Sequence, residues 1–131
     1  MAIYNEYASV RGTAGTNLTE AEGCFVTAAA DETLTPATAT TKAAAVLGVL
    51  TDVGEAGTPC DVELPGSQRL VGVRLHSSSP RPALGAPLYL AANGTVTATA
   101  GKTKVAVCAG FPTLVKGNMV RARLCEPADI A

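Results

Sequence analysis

Tryptophan is absent from this chain, phenylalanine and tyrosine together supply only 4% of it, and there is a single histidine, His76. A core without large rings must be filled by Ala, Val and Leu, which supply most of a hydrophobic content of 47%. Such a core is thin and suits a small barrel or sandwich. Charge is also scarce: 16% of residues are charged, against roughly 25% in ordinary soluble domains. The surface is therefore rich in Ala, Thr, Ser and Gly, the composition of a surface that has partners. Basic residues are scattered as Arg69, Arg74, Arg81, Lys102, Lys104, Lys116, Arg121 and Arg123, and the net charge is -1. No stripe suited to a phosphate backbone results, so nucleic acid is not an expected ligand. No apolar run approaches the roughly 20 residues of a membrane helix. The opening Met1-Ala2-Ile3-Tyr4-Asn5-Glu6 lacks the basic and apolar regions of a signal peptide, so synthesis in the cytoplasm is expected and no membrane partner.

What is present is a series of short β-like runs. The segment Leu88 to Ala98 contains two of them joined by Asn93-Gly94 and reads as a β-hairpin with a two-residue turn. Similar runs occupy Gly23–Thr27, Val46–Leu50, Cys60–Leu64, Leu70–Leu75, Val105–Cys108 and Met119–Leu124. In the last, Val120, Ala122 and Leu124 alternate with Arg121 and Arg123, which predicts one buried and one wet face. Cys60, Val62 and Leu64 against Asp61 and Glu63 give the same pattern. Gly54–Pro59, Pro65–Ser67 and the longer Ser77–Pro87 mark turns, the last an exposed loop. Only Thr40–Ala45 has alanine enough for a helical turn. The fold class is all-β, one domain over residues 20–131, with residues 1–19 as an extended N-terminal arm carrying Tyr4 and Tyr7. Thr35–Thr40 before the Val46 run resembles Thr97–Gly101 before the Val105 run, but the similarity follows composition and reads as two β-corners, not as an internal repeat.

Candidate chemistry is sparse. His76 beside Ser77, Ser78 and Ser79 invites a nucleophile and base, yet no Gly-x-Ser-x-Gly elbow frames a serine. His76 reads as a strand end and the serines as solvated loop. Cys24, Cys60, Cys108 and Cys125 lack Cys-x-x-Cys spacing and sit among small or apolar residues, so they read as buried thiols, not zinc ligands or a disulfide framework. The carboxylates Asp31, Glu32, Asp52, Glu55, Asp61 and Glu63 show neither calcium-loop spacing nor a glycosidase pair. Gly12-Thr13-Ala14-Gly15-Thr16 lacks the Lys-Ser or Lys-Thr of a phosphate loop. Asn17-Leu18-Thr19 and Asn93-Gly94-Thr95 match a glycosylation sequon by chance. No catalytic residue, metal or cofactor is expected.

The serial order is more specific than any one run. Gly23-Cys24-Phe25-Val26-Thr27, Thr35-Pro36-Ala37-Thr38, Val46-Leu47-Gly48-Val49-Leu50-Thr51-Asp52, Gly85-Ala86-Pro87-Leu88-Tyr89-Leu90, Asn93-Gly94-Thr95-Val96-Thr97 and Val105-Ala106-Val107-Cys108 together resemble the small capsid decoration, or cement, proteins of tailed bacteriophages, over about residues 20 to 125. The resemblance implies a compact β-barrel-like, β-tulip-like domain without an active site. It also implies a place on the outer surface of a phage head, as homotrimers at threefold or quasi-threefold positions that clamp neighbouring major capsid protein subunits. The arm would lie on the lattice or a neighbouring protomer, with Ile3, Tyr4, Tyr7 and Val10 as contact residues. The Ser- and Pro-rich loop at Ser77 to Pro82 and the four cysteines depart from that pattern.

A cement protein needs weakly charged patches repeated by symmetry, since many modest contacts combine through avidity, whereas an enzyme must preorganise polar groups in a pocket. The expected function is therefore a structural virion protein. The alternative is a carbohydrate- or receptor-binding β-module of a virion accessory or fibre protein, with the Ser77–Pro87 loop as recognition site and few aromatics for sugar stacking.

Overall fold

The computed structural model describes residues 9–67, 69–110 and 118–130. Strands β1 (Ser9–Ala14), β2 (Phe25–Ala28), β3 (Thr33–Pro36), β4 (Val46–Asp52) and β5 (Pro59–Glu63) close into a barrel in the order β1-β3-β2-β4-β5. Strands β6 (Leu70–Arg74), β7 (Pro87–Leu90), β8 (Val96–Thr97), β9 (Thr103–Gly110) and β10 (Met119–Asp129) form a second sheet in the order β6-β10-β9-β7-β8. A parallel bridge between Leu75 and Val96 joins its two outer strands, so this sheet is also rolled up. The all-β expectation holds, and each run anticipated from residue 23 onward is a strand.

Two strands lay outside that expectation. The arm assigned to residues 1–19 contains β1, which pairs antiparallel with β5 and parallel with β3, and Leu18 behind it is 1% exposed. Residues 9–18 thus belong to the first barrel, whereas residues 1–8 lie outside the described residues. Gly12 is what lets β1 enter, because a Cβ there would stand 2.8 Å from the Leu34 side chain. The second is β3, whose Thr-Leu-Thr-Pro sequence puts one apolar residue, Leu34, into the barrel.

The two sheets are copies of one plan. In chain order β6 to β10 take the places of β1 to β5, the first strand lying between an antiparallel fifth and a parallel third in both. Their irregularities also coincide. Val26 faces Gly48 before the register slips to Thr27 against Val46, and Leu88 faces Ala106 before it slips to Tyr89 against Lys104. A second bulge follows Leu50 against Val62, and its counterpart follows Cys108 against Ala122. Gly23 and Gly85, both at φ +84°, donate their amides to Leu50 and Cys108 at 2.9 and 2.7 Å, and those residues donate back to Cys24 and Ala86. Bulges are specific devices that re-aim a strand, so matched bulges in matched strands mark an internal duplication. The absence of a repeat expected from the sequence is corrected accordingly: the resemblance between Thr35–Thr40 and Thr97–Gly101 lies at the equivalent β3–β4 and β8–β9 connections.

The barrels share a seam. Ala14, Leu18, Val26, Leu34, Leu50, Cys60 and Val62 fill the first barrel, while Phe25, Ala37 and Val49 join the cluster of the second, with Leu88, Leu90, Val105 and Val120. Neighbours such as Phe25-Val26 and Val49-Leu50 are each 0% exposed because these strands are covered on both faces, which is why they read as continuous apolar runs. The tail of β10 adds a polar tie: the Asp129 carboxylate accepts from the Ala43 amide at 2.8 Å, beside the buried Thr103, whose hydroxyl donates to Thr41 O at 2.7 Å. The expected helical turn is the short 3-10 turn Ala43–Ala45.

The Asn93-Gly94 hairpin is present, with a longer loop than the two residues expected. Ala91 donates to Thr95 O, leaving Ala92, Asn93 and Gly94 as the turn, with φ +57° at Asn93 and +76° at Gly94. Gly94 is buried against β2, where a Cβ would collide with the Phe25 carbonyl oxygen and stand 3.1 Å from the Cys24 Cβ. Gly57 is equally left-handed at φ +88° but has nothing within 4 Å. Gly57→Ala should therefore cost about 1 kcal/mol from backbone strain alone, and Gly94→Ala at least about 2 kcal/mol, since the seam must also open. Urea denaturation of the two variants checks the difference.

Candidate functional site

The residues singled out for catalysis lie in a local turn. β6 ends in the Leu75 bridge, His76 donates its amide to Val96 O at 2.8 Å, and Ser79 closes a turn back onto His76 O. His76 Nδ1 accepts from the Ser78 amide at 3.1 Å and lies 2.7 Å from Ser78 Oγ. With the amide fixing Nδ1 as acceptor, the hydroxyl donates to it, and the imidazole caps its own turn. The serines are not all solvated as expected: Ser79 Oγ donates to Pro80 O at 2.8 Å and accepts from Ala98 N at 3.0 Å, fixing the start of the Ser77–Pro87 loop to the end of β8. Pro82 is buried, and Gly85 and Ala86 pair with Cys108. The loop is exposed at Leu84, which is 68% accessible, and anchored elsewhere.

All four cysteines are free. Cys24, Cys60 and Cys108 are buried as expected and Cys125 is half-buried. Burial pushes the Cys24, Cys60 and Cys125 thiols above their ordinary value; Arg74 opposes this at Cys24, and Asp52 reinforces it at Cys60. They stand as neutral thiols at pH 7, the unreactive form. Among the described residues no group of three His, Cys, Asp or Glu side chains is placed to hold a metal ion, and no helix is long and apolar enough to cross a membrane. Gly12 and Thr13 of the suggested phosphate loop lie in β1.

Of the expected contact residues, Ile3, Tyr4 and Tyr7 lie outside the described residues. Val10 is in β1 opposite Val62 and is 37% exposed. Ser9, the first described residue, stands opposite Glu63, at the barrel end where the connection between the barrels begins. That connection is held by an ion pair. Glu63 is 3% exposed, and both its oxygens are used, accepting from Arg69 Nε at 3.0 Å and from an Arg69 terminal nitrogen at 2.6 Å. Arg11 makes a single, exposed contact of 3.0 Å with Asp61. Sequence reasoning missed the staple, although a Glu and an Arg bracketing Pro65-Gly66 is a legible signal for a turn closed by charge.

The charges are segregated along the sequence. Up to Leu64 the sequence holds nine of its eleven acidic residues and two of its ten basic ones, and the remainder lie beyond. The net charge of -1 thus hides about -7 on the first half and +6 on the second. At equivalent places in the two barrels, β5 carries Asp61 and Glu63 where β10 carries Arg121 and Arg123. Asp52 lies opposite Asp61 across the bulge, with Arg11 the basic group beside them. Arg121 and Arg123 are exposed and make no ion pair with a described residue. On the same face Leu70, opposite Arg123, is 50% exposed.

Arg69 is itself 61% exposed, but its removal leaves the buried Glu63 carboxylate without its donors, so Arg69→Met should cost about 2 kcal/mol, whereas Arg11→Met, at an exposed pair, should cost under about 1 kcal/mol. Urea denaturation of both variants provides the comparison. In the first hairpin, the Thr33 hydroxyl and amide donate to Asp31 at 2.7 and 3.2 Å and hold its carboxyl below the usual carboxylate range. A depressed folded-state pKa gives stability that is present above the unfolded value and lost as pH falls through the folded one. Thr33→Val should raise the Asp31 pKa towards its ordinary value, read by carboxyl NMR titration. Compared with known protein families and with curated proteins, the chain matches no family model and no curated protein.

Proposed function

We propose that the chain is a structural virion protein, a capsid decoration protein that binds the outer surface of a phage head and stabilises it by bridging major capsid protein subunits. The support is the ordered series from Gly23 to Cys108 that resembles the decoration proteins, now seen as one shared core. The observation that carries the reading is the duplication itself. Two barrels with the same register and bulges give one chain two similarly shaped surfaces, and a lattice of repeated subunits is the partner that rewards repeated surfaces, through avidity.

In this reading the protein is not an enzyme, works without cofactor, nucleic acid or membrane, is made in the host cytoplasm and acts on the virion as a homotrimer at threefold or quasi-threefold sites. Residues 1–8, with Ile3, Tyr4 and Tyr7, supply a contact beside Val10 and the Glu63 end of the first barrel. An extended segment contributes backbone hydrogen bonds as well as aromatic area when it is added to a sheet edge.

Purified protein mixed with expanded heads lacking it should bind in integral numbers and raise the temperature of genome release. Removal of residues 1–8, which stops short of β1, should weaken head binding about tenfold or more and leave the denaturation midpoint of the isolated protein in place. Absence of binding, or binding without any gain in head stability, overturns the reading; unchanged affinity after truncation removes the arm from it.

A further inference from the structure

We propose that copies of this chain associate head to tail, the acidic first barrel of one copy docking on the basic outer face of the second barrel of the next. The acidic face is the bulged end of β4 and β5, with Asp52, Asp61 and the neighbouring turn residue Glu55. The basic face is the outer side of β10, with Arg121 and Arg123, joined by Leu70 from β6.

Charge complementarity selects the partner. The sequence up to Leu64 and the sequence beyond it carry nearly equal and opposite net charges, about -7 and +6, or about -6 and +5 once the Glu63–Arg69 pair that joins them is set aside, so each half finds a complementary charge in the other half of an identical chain. A partner of one sign, such as a polyphosphate backbone, would be attracted to β10 and repelled by the first barrel. Within one chain the two faces do not neutralise each other: Asp61 pairs with Arg11 of its own barrel, and Glu63 pairs with Arg69 of the connection. Glu63 is consumed by Arg69, whereas Arg121 and Arg123 stand exposed on the strand equivalent to its own. Asp52 and Asp61 oppose each other across a bulge with Arg11 beside them, which leaves an excess of negative charge that an incoming cation relieves.

Geometry adds a centre to the contact. Leu70 lies directly across from Arg123 and is half exposed, an apolar residue at the edge of a basic face, as in interfaces where a desolvated centre is flanked by charge. Because the two docking faces are different surfaces of one chain, the contact is heterologous. It propagates, and closes into a ring if the rotation per copy permits. The contact is a property of the free protein and does not depend on the capsid reading, which is tested separately on heads.

Analytical ultracentrifugation of the full chain at about 50 and about 500 mM salt, where screening shortens to within a contact distance, reads the association. Wild type should oligomerise at low salt, with a dissociation constant raised about tenfold or more at high salt. Arg121→Glu/Arg123→Glu and Asp52→Lys/Glu55→Lys should each be monomeric, and their equimolar mixture should associate, because one retains an acidic face and the other a basic face. Circular dichroism checks folding, and the milder Arg123→Gln and Asp52→Asn replace any reversal that unfolds. A wild type that is monomeric at both salts, oligomers indifferent to salt and to both reversals, or reversed variants that fail to recombine would each overturn head-to-tail docking. So would a monomeric wild type that instead binds a single-stranded oligonucleotide through Arg121 and Arg123.

Discussion

The seam where Phe25 and Val49 leave the first barrel and enter the core of the second is the constraint on which the rest depends. The interior of the first barrel is small, made of Ala14, Leu18, Val26, Leu34, Leu50, Cys60 and Val62. Each fully buried Val or Phe side chain contributes about 1.5–3 kcal/mol, so Phe25 and Val49 together supply a large part of a total stability that for any such domain is only about 5–15 kcal/mol. Separating the barrels would expose both, and with them Ala37 and the buried turn at Gly94. The Glu63–Arg69 pair and the Asp129–Ala43 contact sit at the margins of this seam; they fix its orientation, while apolar burial holds it closed.

How much of this was legible follows from what each strand must satisfy. β10 alternates because one face meets a core and the other meets water; β5 departs from the expected wet face at Glu63, which is buried beneath Arg69. β2 and β4 read as continuous apolar runs because both of their faces are covered. β1 and β3 lacked such signals: Ser9-Val10-Arg11-Gly12-Thr13-Ala14 must keep Gly12 small against Leu34, and Thr33-Leu34-Thr35-Pro36 offers one buried side chain. The duplication was hidden for a related reason. Equivalent positions preserve inward direction and turn geometry, not identity: Val26 answers to Leu88, Leu50 to Cys108, Val62 to Ala122. What does persist, Gly23 with Gly85 and Thr33 and Thr35 with Thr95 and Thr97, lies at bends and hairpin ends, where backbone shape is fixed locally.

The candidate site shows the opposite case, in which the signal was in the sequence and averaging concealed it. A net charge near zero is a correct sum, yet every basic residue described as scattered follows Leu64, as do all ten in the chain but Arg11 and Lys42. Only the division into two barrels makes that point a structural boundary. His76 and Ser78, conversely, looked like chemistry in sequence and are explained by a turn that needs its Nδ1 as an acceptor.

Duplication and charge segregation constrain each other. Two copies of one barrel with the same charges would repel wherever equivalent faces met, and would favour no direction of association. Reversing the charge on one copy, so that Asp61 and Glu63 become Arg121 and Arg123 at the same strand positions, gives the chain a polarity while its backbone remains nearly symmetric. A polar unit built from matched halves can place its own second barrel where a neighbour's equivalent surface would otherwise lie, so a ring of such chains presents alternating acidic and basic barrels of one shape. A ring of more than two copies requires heterologous contacts between its subunits, and opposite charge on matched barrels supplies a direction for them.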